Sequence, residues 1–295
     1  MLLWRARCIC HPMSAVRSLA VDLSDLFPAA DYEFRMGIRR GEPAEFFRAS
    51  KEREQVLAER CRWLTESPED YRGVLPGGQA LVAEAIGFLI EWGAITEEES
   101  WMIRREPDPE WRLRALGERV ESDMLFLAPG KSGQMELLAG CVCFPSSWAL
   151  AEKLGRPMTE IHSAAPGLNS SLGNQIDTFL TRLRPGTAWL RSNWGLSASA
   201  ELNQHPDRRL PRLTEECRLE EAWLRIERQA LVLLPASGGV LFALRIETGP
   251  LDVLKRESPE NARRLAHSLH TMPEEIARYK GLALARAPLI EQLGK

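Results

Sequence analysis

The chain has 295 residues, of which 44% are hydrophobic, and its 38 basic and 41 acidic side chains leave a formal net charge of only -3. That apolar content is ample for a hydrophobic core, and so weak a net charge excludes recruitment of nucleic acid or an anionic membrane by charge alone. Glu84 and Glu91 interrupt the apolar run at residues 81–95, so no run reaches the roughly 18 residues that a membrane helix requires. We therefore expect a globular protein whose partners are small molecules or other proteins.

The six cysteines show neither the repeated CxxC spacing of zinc ribbons nor the density of a secreted, disulfide-bonded scaffold. Reduced thiols, and hence a cytoplasmic location, are the expectation. The first 21 residues lack acids and carry three arginines, which is typical of an organellar presequence, although translation from Met13 explains the same feature. Residues 1–30 are predicted to be a terminal extension, and whether residues 1–12 are translated stays open.

Residues 31–118 are predicted to form a helical region. Apolar spacing predicts an amphipathic helix over residues 43–65, a second over 79–92, and a third over 97–104 that Thr96 caps. In the first of these helices the predicted inward side chains are apolar: Phe46, Phe47, Val56, Leu57 and Leu64.

From residue 119 the apolar period changes to that of strands. Residues 121–128 and 134–144 read as a hairpin, followed by a short helix through Leu154 with Ser146 or Ser147 as its cap, and by a longer helix over 169–183. Three strands then begin near residues 187, 223 and 240. This order predicts an α+β fold with an antiparallel five-stranded sheet and helices on one face.

The same order occurs in PAS domains, where a curved sheet holds a ligand beneath helices. Residues 119–248 are therefore predicted to form a PAS-like domain, and residues 249–295 to form C-terminal helices that pack on it. Together with the N-terminal helical region, these helices are extensions of the PAS-like core.

The hairpin predicted over residues 223–246 carries four charges inside otherwise apolar strands: Arg225, Glu227, Arg228 and Arg245. Strand alternation places Gln229 on the face of Arg225 and Glu227. A turn centred near Ser237 would put Gln229 opposite Arg245, with Glu227 diagonal to that arginine and within reach. Burying one charge alone costs several kcal/mol or more, so these charges either form an internal salt-bridge cluster, meet water or hold a ligand.

Other candidates lie near the predicted sheet. His162 precedes a Pro-Gly break where the chain would cross the mouth of a PAS-like cup, and neutral imidazole is a common axial ligand of haem iron; a structural or exposed role is the alternative. Arg191 and Asn193 share a strand face, either lining the same cavity or forming a polar outer face. Cys143 packs in the core or, less simply, ligates iron as a thiolate. The sequence has no P-loop, GxGxxG, GxSxG or HExxH motif.

Five ordered blocks between Glu121 and Gly281 resemble the family of haem-dependent oxidative N-demethylase alpha subunits. They are LLAGCVCFPSSW, KLGRPMTEIH, RSNW, LRIERQALVLLPASGGVLFALR and YKG. The resemblance implies a PAS-like domain that binds haem b (heme b) and works as a monooxygenase-type oxidoreductase. The implied reaction oxidises a small, dimethylamine-like secondary amine with dioxygen and releases formaldehyde. The alternative is a PAS-like haem or small-ligand sensor without turnover.

The resemblance also implies partners and site residues. Electrons would come from NADPH through a flavin and iron-sulfur reductase subunit, and a folate-binding subunit would capture formaldehyde; nucleic acid and membranes are not expected partners. His162 is the expected iron ligand, with Cys143 as an outside alternative. The resemblance is also the basis for assigning catalysis to Glu227, Arg225 and Arg228, and cofactor binding to Arg245, Arg191 and Asn193.

Overall fold

The computed structural model of the protein describes residues 23, 26–131 and 133–294. The predicted presequence or alternative start within residues 1–21 lies outside these residues. Among the described residues, no helix combines the length and the apolar character needed to cross a membrane.

The centre of the fold is an antiparallel sheet with seven strands in the described chain. Along the sheet the strands are ordered β1-β5-β6-β7-β3-β4-β2. Their bounds are β1 Arg39–Gly41, β2 Arg72–Val74, β3 Asp123–Pro129, β4 Met135–Cys141, β5 Ala188–Ser197, β6 Trp223–Leu234 and β7 Gly239–Pro250. The α+β class and all five predicted strands are confirmed, but the predicted strand number is wrong. The helical region supplies two further strands, and each of them covers an edge of the five.

Twelve α-helices of the described chain surround the sheet. Six precede β3: α1 Pro43–Phe47, α2 Arg53–Glu66, α3 Pro68–Tyr71, α4 Gly78–Glu91, α5 Glu97–Arg104 and α6 Pro109–Gly117. Two lie between β4 and β5: α7 Met158–His162 and α8 Leu168–Thr181. Four follow β7: α9 Leu251–Glu257, α10 Pro259–Thr271, α11 Glu274–Tyr279 and α12 Arg286–Gly294.

The single helix predicted over residues 43–65 is two helices, because the chain becomes extended at Arg48. Ser50 in this break donates its hydroxyl to the Glu121 carboxylate at 2.6 Å, and its backbone N–H donates to the same carboxylate at 2.9 Å. By contrast, the predicted cap of α5 is confirmed. Thr96 and Glu99 form a capping box at its first turn.

Helices cover both faces of the sheet, so the prediction of helices on one face is wrong. We call the face that bears Arg228 the front face; α1–α6 cover one half of it, and α9–α12 cover the half that bears Trp194 and Ile226. We call the opposite face, which bears Gln229, the cleft face; α7 and α8 pack against it. The run ALVLL in β6 agrees with this, since strands buried on both faces lose strict polar alternation.

Candidate functional site

The register of the β6–β7 hairpin decides which charges can meet. Leu234 pairs with Gly239, Arg228 with Arg245, and Gln229 with Leu244. The predicted pairing of Gln229 with Arg245 is therefore wrong by one residue. Because side chains alternate along a strand, that shift moves Arg245 to the front face, away from Glu227.

A contact from a distant helix fixes this turn. The Glu84 carboxylate on α4 accepts backbone hydrogen bonds from Ala236 at 2.7 Å and from Ser237 at 2.9 Å. These bonds hold a four-residue turn, residues 235–238, between the two strands. The centre of the hairpin therefore lies between Ala236 and Ser237 rather than at Ser237.

Arg228 and Arg245 each bond to neighbouring groups on the front face. Arg228 donates to the Ser192 hydroxyl at 2.9 Å and lies 3.5 Å from the Glu247 carboxylate. Arg245 donates to the Arg48 carbonyl at 2.8 Å, and burial lowers the pKa of its guanidinium. Neither side chain shares a face with the residues that line the cleft, so the structure does not bring these two arginines together with His162.

Arg225 is on the cleft face, but its guanidinium donates most of its hydrogen bonds to backbone carbonyl groups. It donates to the carbonyls of Phe144 at 2.7 Å and Pro145 at 3.3 Å, and to the Ser146 hydroxyl at 2.8 Å. Burial lowers the pKa of Arg225 to about 10, against the opposing attraction of Glu227. Arg225 thus ties the segment after β4 to the sheet.

Glu227 is held by two neutral groups. One carboxylate oxygen accepts the Ser146 hydroxyl at 2.6 Å, and the other accepts the Gln229 amide at 3.1 Å. Ser146, expected as a helix cap, therefore bridges Arg225 and Glu227 instead. Within the described chain Glu227 has no ion pair at salt-bridge distance, so its charge remains available to a cation.

A cleft lies between the cleft face and helices α7 and α8. Most of its lining is apolar: Met36, Ile38, Leu127, Met158, Ile176, Phe179, Leu180, Leu231 and Phe242. Three polar side chains enter it, those of His162, Arg191 and Gln229.

His162 is the last residue of α7 and is half-buried. Its ring makes no hydrogen bond to the described residues. Burial lowers the pKa of His162, nearby Arg191 lowers it further, and Asp177 opposes the shift. The imidazole is therefore neutral at pH 7, which is the form that binds a metal.

Arg191 brings a charge into the same cleft without a partner. Its Nε atom is buried and has no hydrogen-bond partner among the described residues. Burial lowers the pKa of Arg191, with Glu227 opposing. A buried guanidinium nitrogen without a hydrogen-bond partner is costly, and planar guanidinium donors suit a carboxylate, so Arg191 is a candidate partner for an anionic ligand. Asn193 is on the same face, paired across the strands with Glu227.

A family model described as haem-dependent oxidative N-demethylase, alpha subunit-like, matches residues 91–290, about two thirds of the chain. The chain belongs to this family. The matched region includes His162, Arg191, the β6–β7 hairpin and the C-terminal helices as far as α12. The predicted family is thereby confirmed, and with it a relation to haem-dependent oxidoreductases and to multi-subunit enzymes.

The chemistry of the cleft fits the haem on which this family depends. No group of three or more His, Cys, Asp or Glu side chains that could hold a metal ion occurs in the described ranges. Haem iron needs only an axial ligand from the protein, because the macrocycle supplies the other nitrogens. A neutral histidine, an unpaired arginine and apolar walls match the iron, the carboxylates and the ring of haem.

Cys143, the outside candidate for the iron ligand, does not line the cleft. It is fully buried in the hydrophobic cluster under the front helices, and burial raises the pKa of its thiol well above the usual value. Its backbone N–H donates to Asp123, which pairs with Arg60 at 2.5 Å. Core packing is therefore the outcome for Cys143.

Lys280 contacts β5, although its sequence position indicated only an edge or a helix cap. It follows α11, and its Nζ donates to the Trp194 carbonyl at 2.8 Å. Burial lowers the pKa of Lys280 to about 8; the attraction of Glu227 opposes this shift, and the repulsion of Arg191 adds to it. The only sequence signal was the block YKG, since nothing local shows that α11 returns to β5.

Proposed function

We propose that this chain is the haem-binding, catalytic subunit of an oxidative N-demethylase that acts on a small secondary amine such as dimethylamine and releases formaldehyde. The observation that carries the proposal is the cleft itself, where a neutral histidine and an unpaired arginine enter apolar walls in a chain of this family. The five strands β3–β7, interrupted by α7 and α8, also support a PAS-like core.

The cleft residues have distinct roles in holding the cofactor. His162 is the proposed iron ligand, Arg191 the proposed partner of a haem carboxylate, and Ile176 and Phe179 part of the apolar wall against the ring. When bound, haem supplies the iron that activates dioxygen. Asn193 extends the polar end of this surface beside Glu227.

Glu227 is the proposed residue that binds the amine substrate and accepts its proton. A secondary amine is a cation at neutral pH, and Glu227 lies next to the cleft residue Gln229 with no ion pair of its own in the described chain. Its carboxylate attracts the ammonium group and accepts a proton before oxidation. Ser146 and Gln229 fix the carboxylate for this step.

The proposed reaction needs partners. Electrons come from NADPH through a flavin and iron-sulfur reductase subunit, and a folate-binding subunit captures the formaldehyde. Support for these partners comes from the resemblance and from the family's alpha-subunit description. Each is tested by co-purification with the chain.

Absorption spectroscopy tests cofactor binding. The protein, expressed with adequate haem supply, is expected to be red and to show a Soret band, and His162→Ala is expected to abolish or shift that band. The matched control is His270→Ala, which removes an exposed histidine at the end of α10. Colourless wild-type protein, or a His162→Ala spectrum identical to wild type, would contradict the assignment.

The hydrogen-bond network around Arg225 favours a second candidate function. Because Arg225, Ser146, Glu227 and Gln229 bond one another, the charged strand also suits a haem or small-ligand sensor without turnover. Formaldehyde release from dimethylamine with a competent reductase separates the two functions. Haem-loaded protein that takes up dioxygen without releasing formaldehyde would favour the sensor.

A further inference from the structure

The amide group of Gln229 has a fixed orientation beside Glu227. Gln229 is buried, with 7% of its surface exposed, and it is one of the three polar side chains that enter the cleft. Its Nε2 donates to a carboxylate oxygen of Glu227 at 3.1 Å. Because an ionised carboxylate can only accept, the amide nitrogen, and not the amide oxygen, points at Glu227. The bond therefore directs Oε1 of Gln229 away from that carboxylate.

The Oε1 atom of Gln229 is an acceptor without a donor from the described residues. The bond to Glu227 is the one side-chain hydrogen bond that Gln229 makes within the described chain. Arg191 lies opposite Gln229 in the pairing of β5 with β6, yet no hydrogen bond joins the two side chains. A buried acceptor left unpaired is costly, so Oε1 favours a ligand that brings an N–H or O–H group.

Glu227 provides a second acceptor on the same strand face. Its two oxygens each accept one hydrogen bond, from the Ser146 hydroxyl at 2.6 Å and from the Gln229 amide. An ionised carboxylate has about four lone-pair sites, so Glu227 can still accept from a ligand. Glu227 and Gln229 therefore present one anionic and one neutral acceptor side by side.

We propose that Gln229 is a specificity-determining residue that selects secondary over tertiary ammonium ions. The inference rests on the proposed function for the amine substrate. A dialkylammonium ion has two N–H groups, one for Glu227 and one for Oε1 of Gln229. A trialkylammonium ion has a single N–H group, which the anionic carboxylate takes. An alkyl group then lies against the amide oxygen and leaves it unpaired.

The support that Gln229 gives to Glu227 is a separate effect. Loss of the Nε2 donor would weaken the binding of every ammonium ion by a similar factor, because each of these ions pairs with Glu227. Loss of the Oε1 acceptor affects only an ion that has a second N–H group. The ratio of two affinities therefore isolates the acceptor from the support.

Direct binding of two ammonium ions tests the proposal. The full chain, as purified, is titrated by calorimetry with dimethylammonium chloride and with trimethylammonium chloride at pH 7. We expect wild-type protein to bind dimethylammonium about tenfold more tightly, as one further hydrogen bond to a charged donor allows.

Gln229→Met keeps the length of the side chain and removes the acceptor, so the ratio of the two affinities is expected to fall towards unity. An apolar replacement suits the apolar walls of the cleft, and Gln229→Leu provides a second such variant. The matched control is Gln79→Met at an exposed position on α4, which is expected to keep the wild-type ratio.

A wild-type ratio in both Gln229 variants would overturn the proposal, even if both affinities fall, because the preference would then come from exclusion of the third methyl group. Equal binding of the two ions by wild-type protein, or binding of neither, would overturn it as well. Calorimetry needs neither turnover nor a reductase. Missing formaldehyde release would therefore defeat the proposed function and leave the ratio measurable, whereas turnover with an unchanged ratio in the variants would defeat this inference alone.

Discussion

Arg225 and Glu227 are two residues apart on the same strand face, yet their surroundings give them different roles. Arg225 has its donors spread over three backbone carbonyls and the hydroxyl of Ser146. Glu227 has one neutral donor on each carboxylate oxygen and no ion pair at salt-bridge distance in the described chain. The arginine is therefore a structural clamp, whereas the carboxylate is positioned but not neutralised.

Arg225→Met is expected to destabilise the fold, because it leaves buried carbonyl groups without donors. The expected loss in the free energy of unfolding is roughly 1–3 kcal/mol, the cost of leaving buried acceptors unsatisfied. Urea denaturation of the haem-free protein measures it. Arg263→Met, at an exposed site on α10, is the control and is expected to change stability by less than about 0.5 kcal/mol. Similar midpoints for the two variants would refute the clamp.

Glu227→Gln keeps the shape of the side chain and removes its charge. Under the proposed function, formaldehyde release is expected to fall by about a hundredfold, because a positioned acid or base contributes at about that level. The haem spectrum and the unfolding midpoint are expected to remain close to wild type. If turnover survives while haem occupancy and stability fall together, Glu227 is part of a structural network instead.

The protonation of His162 depends on its neighbours. Because its pKa is lowered in the folded protein, the unfolded chain binds more protons than the folded chain just below pH 6.5, and stability falls as the pH drops through that window. Arg191→Met removes a charge that disfavours the imidazolium, so the His162 titration midpoint is expected to rise towards 6.5. NMR titration of the imidazole in haem-free protein measures this shift, with His270 as an internal reference. A midpoint that is unmoved or lower in the variant would show that Arg191 does not act on His162.

At the level of elements, the strands were predictable because each carries its own apolar period and turn residues. The register of β6 and β7 could not be predicted, because the turn between them is held by Glu84, which lies on α4 about 150 residues earlier in the chain. The same limit applies to Ser146, whose local context indicates a helix cap while its partners come from β6. His162 could be predicted as a candidate because its segment could be placed between two helices, whereas the contact of Lys280 with β5 depends on where α11 packs.

Glu84→Gln is expected to weaken the hairpin turn. The variant loses the charge assistance of two backbone hydrogen bonds, which should lower the free energy of unfolding by about 1–3 kcal/mol. Hydrogen exchange should accelerate at the amides of Ala236 and Ser237 before other hairpin amides respond. Glu91→Gln, at an exposed position on the same helix, serves as the control. Unchanged exchange at both amides would mean that Glu84 does not determine the turn.

In the whole molecule, the two faces of the sheet differ in how completely the helices cover them. The front face is filled by two hydrophobic clusters, and its arginines bond to neighbouring side chains and backbone. The cleft face leaves a gap under α7 and α8, and the side chains of His162, Arg191 and Gln229 enter it. Sequence periodicity could not reveal this asymmetry, because apolar residues occur on both faces of β6 and only the packed helices distinguish a filled face from an open one.

This asymmetry predicts where haem should stabilise the protein. Binding at a free concentration about a hundred times the dissociation constant adds about 2.7 kcal/mol to the free energy of unfolding. Because α7 and α8 form one wall of the cleft, their amides over residues 158–162 and 168–181 are expected to gain the largest local hydrogen-exchange protection when haem is added. Locally exchanging amides of α5, on the opposite side of the sheet, should change little, and His162→Ala should lose the effect. Protection centred on α5 instead would place the cofactor outside the cleft and remove the basis for assigning His162 as its ligand.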